Sequence, residues 1–224
     1  MIKAVLFDMD GILYDSEYYY MEGTIEQLKR FGYTGPLEAI YPVIGRTMDG
    51  TYEFLWNLLD RKYPIEDIKR SNERYFTVEK PIHYKEIMFP GIKEALKELN
   101  EMGIQCAVCS SNTRDIVLDS LKEMEIDTYF SCVLCEEDVN QLKPDPEIYI
   151  TGLKRLAVDP KECIVYEDST MGIEAGKRAG IFTVARKDDR FLQDQSNADK
   201  IVEDINELME YIRKENAYAR SNEN

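Results

Sequence analysis

The sequence predicts an α/β fold, a doubly wound and mostly parallel Rossmann-like sheet with a small helical cap inserted near its start. Three observations predict it. The apolar run Ile2–Phe7 is typical of a buried strand and stops abruptly at Asp8. From Pro90 onward, helical and strand patterns alternate, as they do when parallel strands are joined by helices on both faces. Between Ser16 and about Tyr84 the sequence contains no convincing strand pattern.

These patterns divide the chain into a core and an insertion. The core is expected to comprise 1–15 and 85–216, the helical cap 16–84, and a disordered tail 217–224. Within the cap, apolar residues recur at helical spacing over 16–32, 47–59 and 66–80. Core helices are expected at 91–102, 114–124, 146–156, 169–179 and 205–214, and strands at 2–7, 104–109, 132–135, 162–166, 182–185 and 198–202.

Composition narrows the classes of function. The formal net charge of −15 repels phosphate backbones and anionic membranes, so we expect neither nucleic acid nor a membrane as partner. No apolar run approaches the ~20 residues of a membrane span, and no signal-peptide pattern precedes the first strand. His83 is the single histidine, so Ser-His-Asp or Cys-His catalysis would have to depend on this one residue, and we expect neither. A monomer or weak dimer is expected.

The five cysteines suggest a reducing, cytoplasmic location, because their number is odd and they lie in apolar segments. Two pairs, Cys106 with Cys109 and Cys132 with Cys135, have a spacing that resembles a zinc ribbon. Both pairs lie in predicted strands, where residues three apart point to opposite faces. They are therefore expected to be small buried side chains and not metal ligands.

The first strand ends in a pair of carboxylates. Asp8 and Asp10 are followed by Gly11, which lets the backbone turn sharply. Two acids beside a buried strand are costly unless a cation or a proton balances their charge. An ordinary Asp-Gly turn is the alternative. Asp15 and Ser16 are suited to cap the helix that follows.

Polar residues also follow the other predicted strands. Ser110 follows the second strand, Lys143 lies after the third, and Glu167 with Asp168 ends the fourth. In a parallel sheet these residues gather at one edge. Taken singly, each has an alternative: Ser110 and the Glu167–Asp168 pair as helix caps, Lys143 as a solvated loop charge.

Together these residues suit phosphoryl transfer. A carboxylate can attack phosphorus to form an acyl phosphate. Mg²⁺ prefers oxygen ligands and shields the charge of the phosphate, and a hydroxyl and an ammonium can hold the equatorial oxygens.

The four segments in this order resemble the haloacid dehalogenase superfamily, in the branch with a helical cap that includes β-phosphoglucomutase-like phosphatases. The resemblance covers residues 2 to about 208. It implies that Asp8 is the nucleophile and that Asp10 is the general acid, then the base. It also implies phosphate binding by Ser110, Ser111, Asn112 and Lys143, and a Mg²⁺ site of Asp8, Asp10 through its carbonyl, Glu167 and Asp168.

The cap loop 43–47 matches the substrate loop of related caps in position, so Gly45 and Arg46 are candidate substrate contacts. An exposed arginine is the alternative for Arg46. The cluster Tyr18, Tyr19 and Tyr20 could line the cleft, although helix packing is the simpler interpretation. Sugar-phosphate mutases of the family carry a histidine and basic residues where this chain has Tyr20 and Met48.

The difference from the mutases at Tyr20 and Met48 favours hydrolysis of a small phosphorylated metabolite, such as a sugar phosphate. A β-phosphoglucomutase-like isomerisation stays the alternative. A dehalogenase would need neither Mg²⁺ nor the second acid at Asp10. A receiver-like signalling domain would place its phosphorylated acid on a middle strand and would leave the inserted cap unexplained.

Overall fold

A parallel sheet is the framework of the larger part of the chain in a computed structural model that describes residues 1–44, 48–191 and 193–222. Among these residues six strands form one sheet: β1 (Ala4–Phe7), β2 (Gln105–Cys109), β3 (Cys132–Leu134), β4 (Cys163–Glu167), β5 (Phe182–Arg186) and β6 (Lys200–Val202). Their order is β3-β2-β1-β4-β5-β6, and all pairs are parallel. The chain builds outward from β1 in both directions, so the reversal of strand order lies between β1 and β4, the usual place for a ligand in such sheets.

Nine helices are present in the described ranges, and most agree with the predicted positions to within two residues. In chain order they are α1 (Ser16–Arg30), α2 (Met48–Leu58), α3 (Ile65–Arg74), α4 (Tyr84–Ile87), α5 (Ile92–Glu101), α6 (Arg114–Glu123), α7 (Glu147–Leu156), α8 (Thr170–Arg178) and α9 (Ile205–Asn222). The helix α7 begins one residue later than predicted, at Glu147, whose backbone N–H donates to the Asp145 carboxylate at 2.9 Å.

Helices cover both faces of the sheet. Along β1, Val5 and Phe7 pack in one apolar cluster with α5, α6 and α9, whereas Ala4 and Leu6 pack in another with α7 and α8. A strand buried on both faces needs apolar residues at every position, which explains the uninterrupted apolar stretch Ala4–Phe7. This arrangement confirms the predicted fold class.

The cysteine pairs are divided between these two clusters. Cys106 belongs to the cluster of α5, α6 and α9, and Cys109 to the cluster of α7 and α8, since alternate residues of β2 face opposite sides. Cys135 and Cys132 are separated in the same way. All five thiols are free.

The chain divides into two compact units, Met1–Asp15 with Tyr84–Asn224 and Ser16–His83. The smaller unit contains α1, α2, α3 and short 3₁₀ turns, and no strand occurs in its described residues. The helix predicted for 66–80 ends earlier, because a π-helical segment, Tyr75–Glu79, follows α3. Gly23 of α1 allows close packing here: a Cβ would lie 2.4 Å from the Phe76 ring.

The larger unit holds together the points at which the chain leaves it and returns. Tyr14 and Met88 form an antiparallel bridge. On either side of it, the N–H of Asp15 donates to the carbonyl of Ile87 at 2.9 Å, and the N–H of Phe89 donates to the carbonyl of Leu13 at 3.0 Å. The insertion therefore begins and ends at two adjacent, hydrogen-bonded segments.

The prediction of a disordered tail over 217–224 is wrong for 217–222, which continue α9. Asn216 is buried, and its side chain accepts from the N–H of Ile2 at 2.6 Å and donates to the carbonyl of Ile2 at 3.2 Å. This long-range pairing fixes the last turns of the helix, and the polar local composition gave no sign of it. Residues 223 and 224 lie outside the described ranges. No helix in those ranges is long and apolar enough to cross a membrane.

Candidate active site

The ends of β1, β2 and β4 bring polar side chains to one edge of the sheet, as predicted. Asp8 follows β1 directly, and its N–H donates to the carbonyl of Tyr166 in β4 at 2.9 Å. Ser110 follows β2 in the same way, with its N–H on the carbonyl of Leu134 at 3.0 Å. These backbone bonds extend the sheet by one residue beyond each strand, so the two side chains are held on rigid elements.

Lys143 reaches this edge from the segment after β3. Its ammonium donates to Oδ1 of Asp8 and, at 2.7 Å, to Oε1 of Glu167. All three side chains are largely buried, at 7%, 13% and 0% exposure for Lys143, Asp8 and Glu167. Burial alone would lower the pKa of Lys143, but the two carboxylates outweigh it and raise that pKa well above its usual value. Lys143 is therefore a permanent positive charge.

Glu167 is a fully satisfied acceptor. Oε1 accepts from Lys143 and from the Tyr149 hydroxyl at 2.9 Å. Oε2 accepts from the N–H groups of Asp168 and Ser169 at 2.9 and 3.0 Å, and from the Ser169 hydroxyl at 3.1 Å. Burial would raise the pKa of Glu167, but Lys143 and the backbone donors outweigh it and hold the pKa below its usual value. Glu167 thus acts as an anchor for Lys143 and for the end of β4.

Asp8, Glu167 and Asp168 form an acidic cluster whose ligand oxygens all lie within 4.8 Å of one another. Burial, opposed by Lys143, raises the pKa of Asp8 to about 8. Three buried carboxylates beside one ammonium leave excess negative charge, which a hard divalent cation with oxygen ligands would balance. The donor set fits such an ion. Because Glu167 already accepts five hydrogen bonds, Asp8 and Asp168 are better suited to direct coordination.

Gly11 makes room for this cluster. Its φ of +70° is a conformation that favours glycine, and a Cβ would lie 2.0 Å from Oδ2 of Asp168. The glycine is therefore required both for the turn that the sequence predicts and for the position of Asp168, which directly follows the neighbouring strand β4. The second requirement comes from a residue far away in the sequence.

Asp10 is paired with the segment after β2. Nδ2 of Asn112 donates to Oδ2 of Asp10 at 2.5 Å, and the N–H of Asn112 donates to the Ser110 hydroxyl at 3.1 Å. Asn112, expected to contact phosphate, here holds the second acid of the first strand end. Ser111 lies exposed beside it. The acidic cluster of the described residues consists of the side chains of Asp8, Glu167 and Asp168 and does not include the Asp10 side chain.

Three residues at this edge were not identified from the sequence. Tyr149 donates to Glu167, Arg186 donates from Nε to the carbonyl of Gly11 at 2.5 Å, and Gln195 donates to the carbonyl of Asp168 at 2.6 Å. Arg186 could have been found, because it is the last residue of β5 and polar residues at the ends of parallel strands gather at this edge. Tyr149 and Gln195 carried no local signal.

The candidate substrate residues of the smaller unit are only partly described. Gly45 and Arg46 lie outside the described residues. Tyr19 and Tyr20 of α1 pack edge to face against each other, with ring centroids 5.3 Å apart, and Tyr19 donates its hydroxyl to the carbonyl of Lys80. Tyr18 and Tyr20 are about half exposed.

Comparisons with known proteins identify the family. Residues 5–186 match the model of the haloacid dehalogenase-like hydrolases. A phosphorylated carbohydrates phosphatase of Thermotoga maritima is 33% identical over 184 residues, 80% of this chain and 82% of that protein. A pyrophosphatase of Bacillus velezensis is 32% identical over 186 residues, 81% of this chain and 82% of that protein. A solved β-phosphoglucomutase of Clostridium difficile has a TM-score of 0.69 and 26% identity, with 98% of this chain and 99% of that chain covered.

The chain therefore belongs to the haloacid dehalogenase-like hydrolases. Within that family it is an enzyme of the phosphoric monoester hydrolase class.

Proposed function

We propose that this protein is a Mg²⁺-dependent phosphatase that hydrolyses a small phosphorylated metabolite, such as a sugar phosphate, through an aspartyl-phosphate intermediate on Asp8. The observation that carries the proposal is the arrangement around Asp8. A carboxylate at the end of the central strand is paired with a buried lysine, and two further carboxylates lie beside it.

Asp8 is the nucleophile of the first step. One of its carboxylate oxygens attacks phosphorus while the bond between phosphorus and the leaving oxygen breaks, and an acyl phosphate results. Lys143 offsets the charge of the attacking carboxylate and of the phosphate, and Ser110 holds a phosphate oxygen with its hydroxyl. Because Asp8 must be ionised to attack, its pKa, which burial raises to about 8 even beside Lys143, has to be lowered by a bound cation.

Asp10 handles the proton in both steps. In the first it gives a proton to the leaving oxygen, and in the second it takes one from the water that attacks the phosphorus of the acyl phosphate. The bond between phosphorus and Asp8 then breaks and inorganic phosphate leaves. The hydrogen bond from Asn112 to Oδ2 keeps the Asp10 carboxyl oriented for this exchange.

Asp8 and Asp168 of the acidic cluster, together with the carbonyl of Asp10, would hold the divalent cation. When bound, Mg²⁺ supplies positive charge that reduces the repulsion between the phosphate and the nucleophile. Glu167 adds negative charge next to this site and positions Lys143 through a 2.7 Å hydrogen bond. Phosphate binding by Ser111 and Asn112, and substrate contacts from Gly45 and Arg46, are part of the same proposal.

The substrate class is supported by relatives and by the insertion. A phosphatase that the chain resembles at 33% identity acts on phosphorylated carbohydrates, according to its name. We propose that the unit Ser16–His83 selects the leaving group and excludes water during the first step, as inserted lids do in other enzymes.

A sugar phosphomutase is the second candidate, because the chain resembles a β-phosphoglucomutase over nearly its whole length. In that reaction a sugar hydroxyl would replace water as acceptor of the phosphoryl group on Asp8. Tyr20 and Met48 stand where mutases of the family carry a histidine and basic residues that hold a second phosphate, and this difference favours hydrolysis.

The test is phosphate release from sugar phosphates, nucleotides, phosphoglycolate and pyrophosphate, with Mg²⁺, with chelator, and after Mg²⁺ is restored. Asp8→Asn removes the nucleophile, and Asp119→Asn makes the same chemical change at an exposed position of α6. We expect release that requires Mg²⁺, is lost in Asp8→Asn and persists in Asp119→Asn. Isomerisation of a sugar phosphate with a bisphosphate activator, without phosphate release, would establish the mutase instead.

A further inference from the structure

The turn that directly follows Asp10 is held at both ends by arginines. It comprises residues 11–15, between β1 and α1. Within the turn, the N–H of Gly11 donates to the carbonyl of Tyr14 at 2.9 Å, and the N–H of Leu13 donates to the carbonyl of Met9 at 2.8 Å. The turn is thus folded by its own backbone bonds. These bonds do not fix the position of the turn relative to the ends of the other strands of the sheet.

Arg186 holds the first end. Its Nε donates to the carbonyl of Gly11 at 2.5 Å, and one terminal nitrogen donates to Asp188 at 3.1 Å. The guanidinium lies over the ring of Phe89, 4.2 Å from its centre, and the side chain is 11% exposed. Packing on the ring and two directed hydrogen bonds leave the guanidinium little freedom, so the Gly11 carbonyl is held in a fixed place relative to β5.

Arg190 holds the second end. Its two terminal nitrogens donate to the two carboxylate oxygens of Asp15 at 2.7 and 2.9 Å, a bidentate pairing. Arg190 also donates to Asp188, whose side chain is 2% exposed and which therefore joins the two arginines. Gln195 links this group to the acidic cluster, because its amide donates to the carbonyls of Asp168 and Arg186 at 2.6 and 2.7 Å.

We propose that Arg186 and Arg190 are positioning residues, which fix the turn 11–15 so that the Asp10 carboxyl meets the leaving oxygen of the substrate. The inference rests on the proposed function, since it gives Asp10 the role of acid. Neither arginine needs to contact the substrate. Both act through the turn after Asp10: Arg186 binds the Gly11 carbonyl and Arg190 binds the Asp15 carboxylate. The buried Asp188 accepts hydrogen bonds from both arginines and so links them.

The dependence of the rate on the leaving group separates positioning of an acid from general damage. An alkyl phosphate such as ribose 5-phosphate needs a proton on its leaving oxygen, whereas p-nitrophenyl phosphate expels a stable phenolate without one. The measure is kcat/KM for both substrates, because this constant covers the steps up to departure of the leaving group. Misplacement of Asp10 should slow the first substrate far more than the second.

For Arg186→Ala we expect a fall of about tenfold or more in kcat/KM for the alkyl phosphate, and less than about threefold for p-nitrophenyl phosphate. Asp10→Asn should show the same selectivity to a larger degree. Arg190→Ala should behave like Arg186→Ala, and added methylguanidinium should partly restore Arg186→Ala. Arg213→Ala is the matched control, since it breaks an exposed 2.7 Å pair with Glu98 in the same unit, and it should change neither rate.

Equal losses for both substrates in the arginine variants, alongside selective loss in Asp10→Asn, would overturn the positioning role and leave the phosphatase intact. Unchanged rates in both arginine variants would overturn it as well. Wild-type protein that turned over neither ester, or activity that survived in Asp8→Asn, would instead refute the proposed function. Melting temperature and Mn²⁺ affinity of each variant show whether a loss comes from unfolding or from the acidic cluster.

Discussion

The conversion of Glu167 to glutamine tests whether the hydrogen-bond network behind Asp8 stabilises the fold. The change is nearly isosteric, but it replaces one acceptor oxygen by an NH₂ donor. If the amide nitrogen takes the place of Oε2, it faces the N–H groups of Asp168 and Ser169; if it takes the place of Oε1, it faces the ammonium of Lys143. Donor meets donor in either orientation, and Lys143 loses one of its two charge partners.

The magnitude follows from the number of bonds involved. At least two hydrogen bonds to a buried charge are lost, at about 1.5–3 kcal/mol each. Removal of one partner of a buried ion pair costs about 3–5 kcal/mol. We therefore expect Glu167→Gln to lower the free energy of unfolding by about 3–5 kcal/mol.

The measurement is urea unfolding followed by far-UV circular dichroism, with metal-free protein. Glu162→Gln is the control: it makes the same chemical change in an ion pair with Lys3 whose side chains are 51% and 32% exposed, so its cost should stay within about 1 kcal/mol. Because the native pKa of Glu167 is lowered, its contribution is present above the unfolded pKa of about 4.3 and is lost as the pH falls through the native value. The difference between wild type and Glu167→Gln should therefore shrink below about pH 4.

A loss under about 1 kcal/mol at pH 7, or a difference that grew on acidification, would refute this reasoning. The first result would mean that the hydrogen-bond network around Glu167 adds nothing to the free energy of unfolding beyond what solvation by water would give. The second would mean that the carboxyl is protonated in the native protein, contrary to its pairing with Lys143.

Three further predictions concern the surroundings of the site. Gly11→Ala should weaken Mn²⁺ binding at least about tenfold, measured by titration calorimetry, because the added Cβ would displace the Asp168 carboxylate; unchanged affinity would mean that Asp168 is not a ligand. Tyr166→Phe should change the free energy of unfolding by less than about 1 kcal/mol in either direction, since the buried hydroxyl has no hydrogen-bond partner among the described residues; a larger loss would reveal a bound partner such as water. Burial raises the pKa of the Cys106 thiol to about 12 and that of Cys109 well above its usual value. Both thiols should therefore resist a thiol reagent at pH 8 until the protein unfolds. Rapid labelling of either cysteine in the native protein, detected by peptide mass, would contradict this.

Local periodicity was sufficient to predict the sheet and the polar residues that lie together at its carboxyl edge. Asp8, Ser110 and Glu167 each interrupt or follow an apolar run, and the topology of a parallel sheet brings such positions together without further information. The meeting of Lys143 with Asp8 needed the rule that all strand ends point the same way, and the structure places the two side chains in contact.

The remaining features depend on contacts between distant residues, which leave no local pattern. Gln195 sits in a polar segment and differs from its neighbours only through its bonds to two carbonyls on separate strands. Asn216 likewise orders the end of α9 through Ile2, at the opposite end of the sequence. The satisfied state of Glu167, which makes it an anchor more than a metal ligand, is equally a property of the assembled site.

The Tyr14–Met88 bridge makes the inserted segment Ser16–His83 replaceable. Since the segments flanking it are already joined by backbone bonds, closing the gap between Asp15 and Ile87 with a short turn would cost little loop-closure entropy and would leave every strand pairing of the sheet intact. The unit Ser16–His83 can thus be removed or exchanged without a change in the sheet. A replacement at this position would therefore leave the residues at the strand ends and the packing of the sheet unchanged.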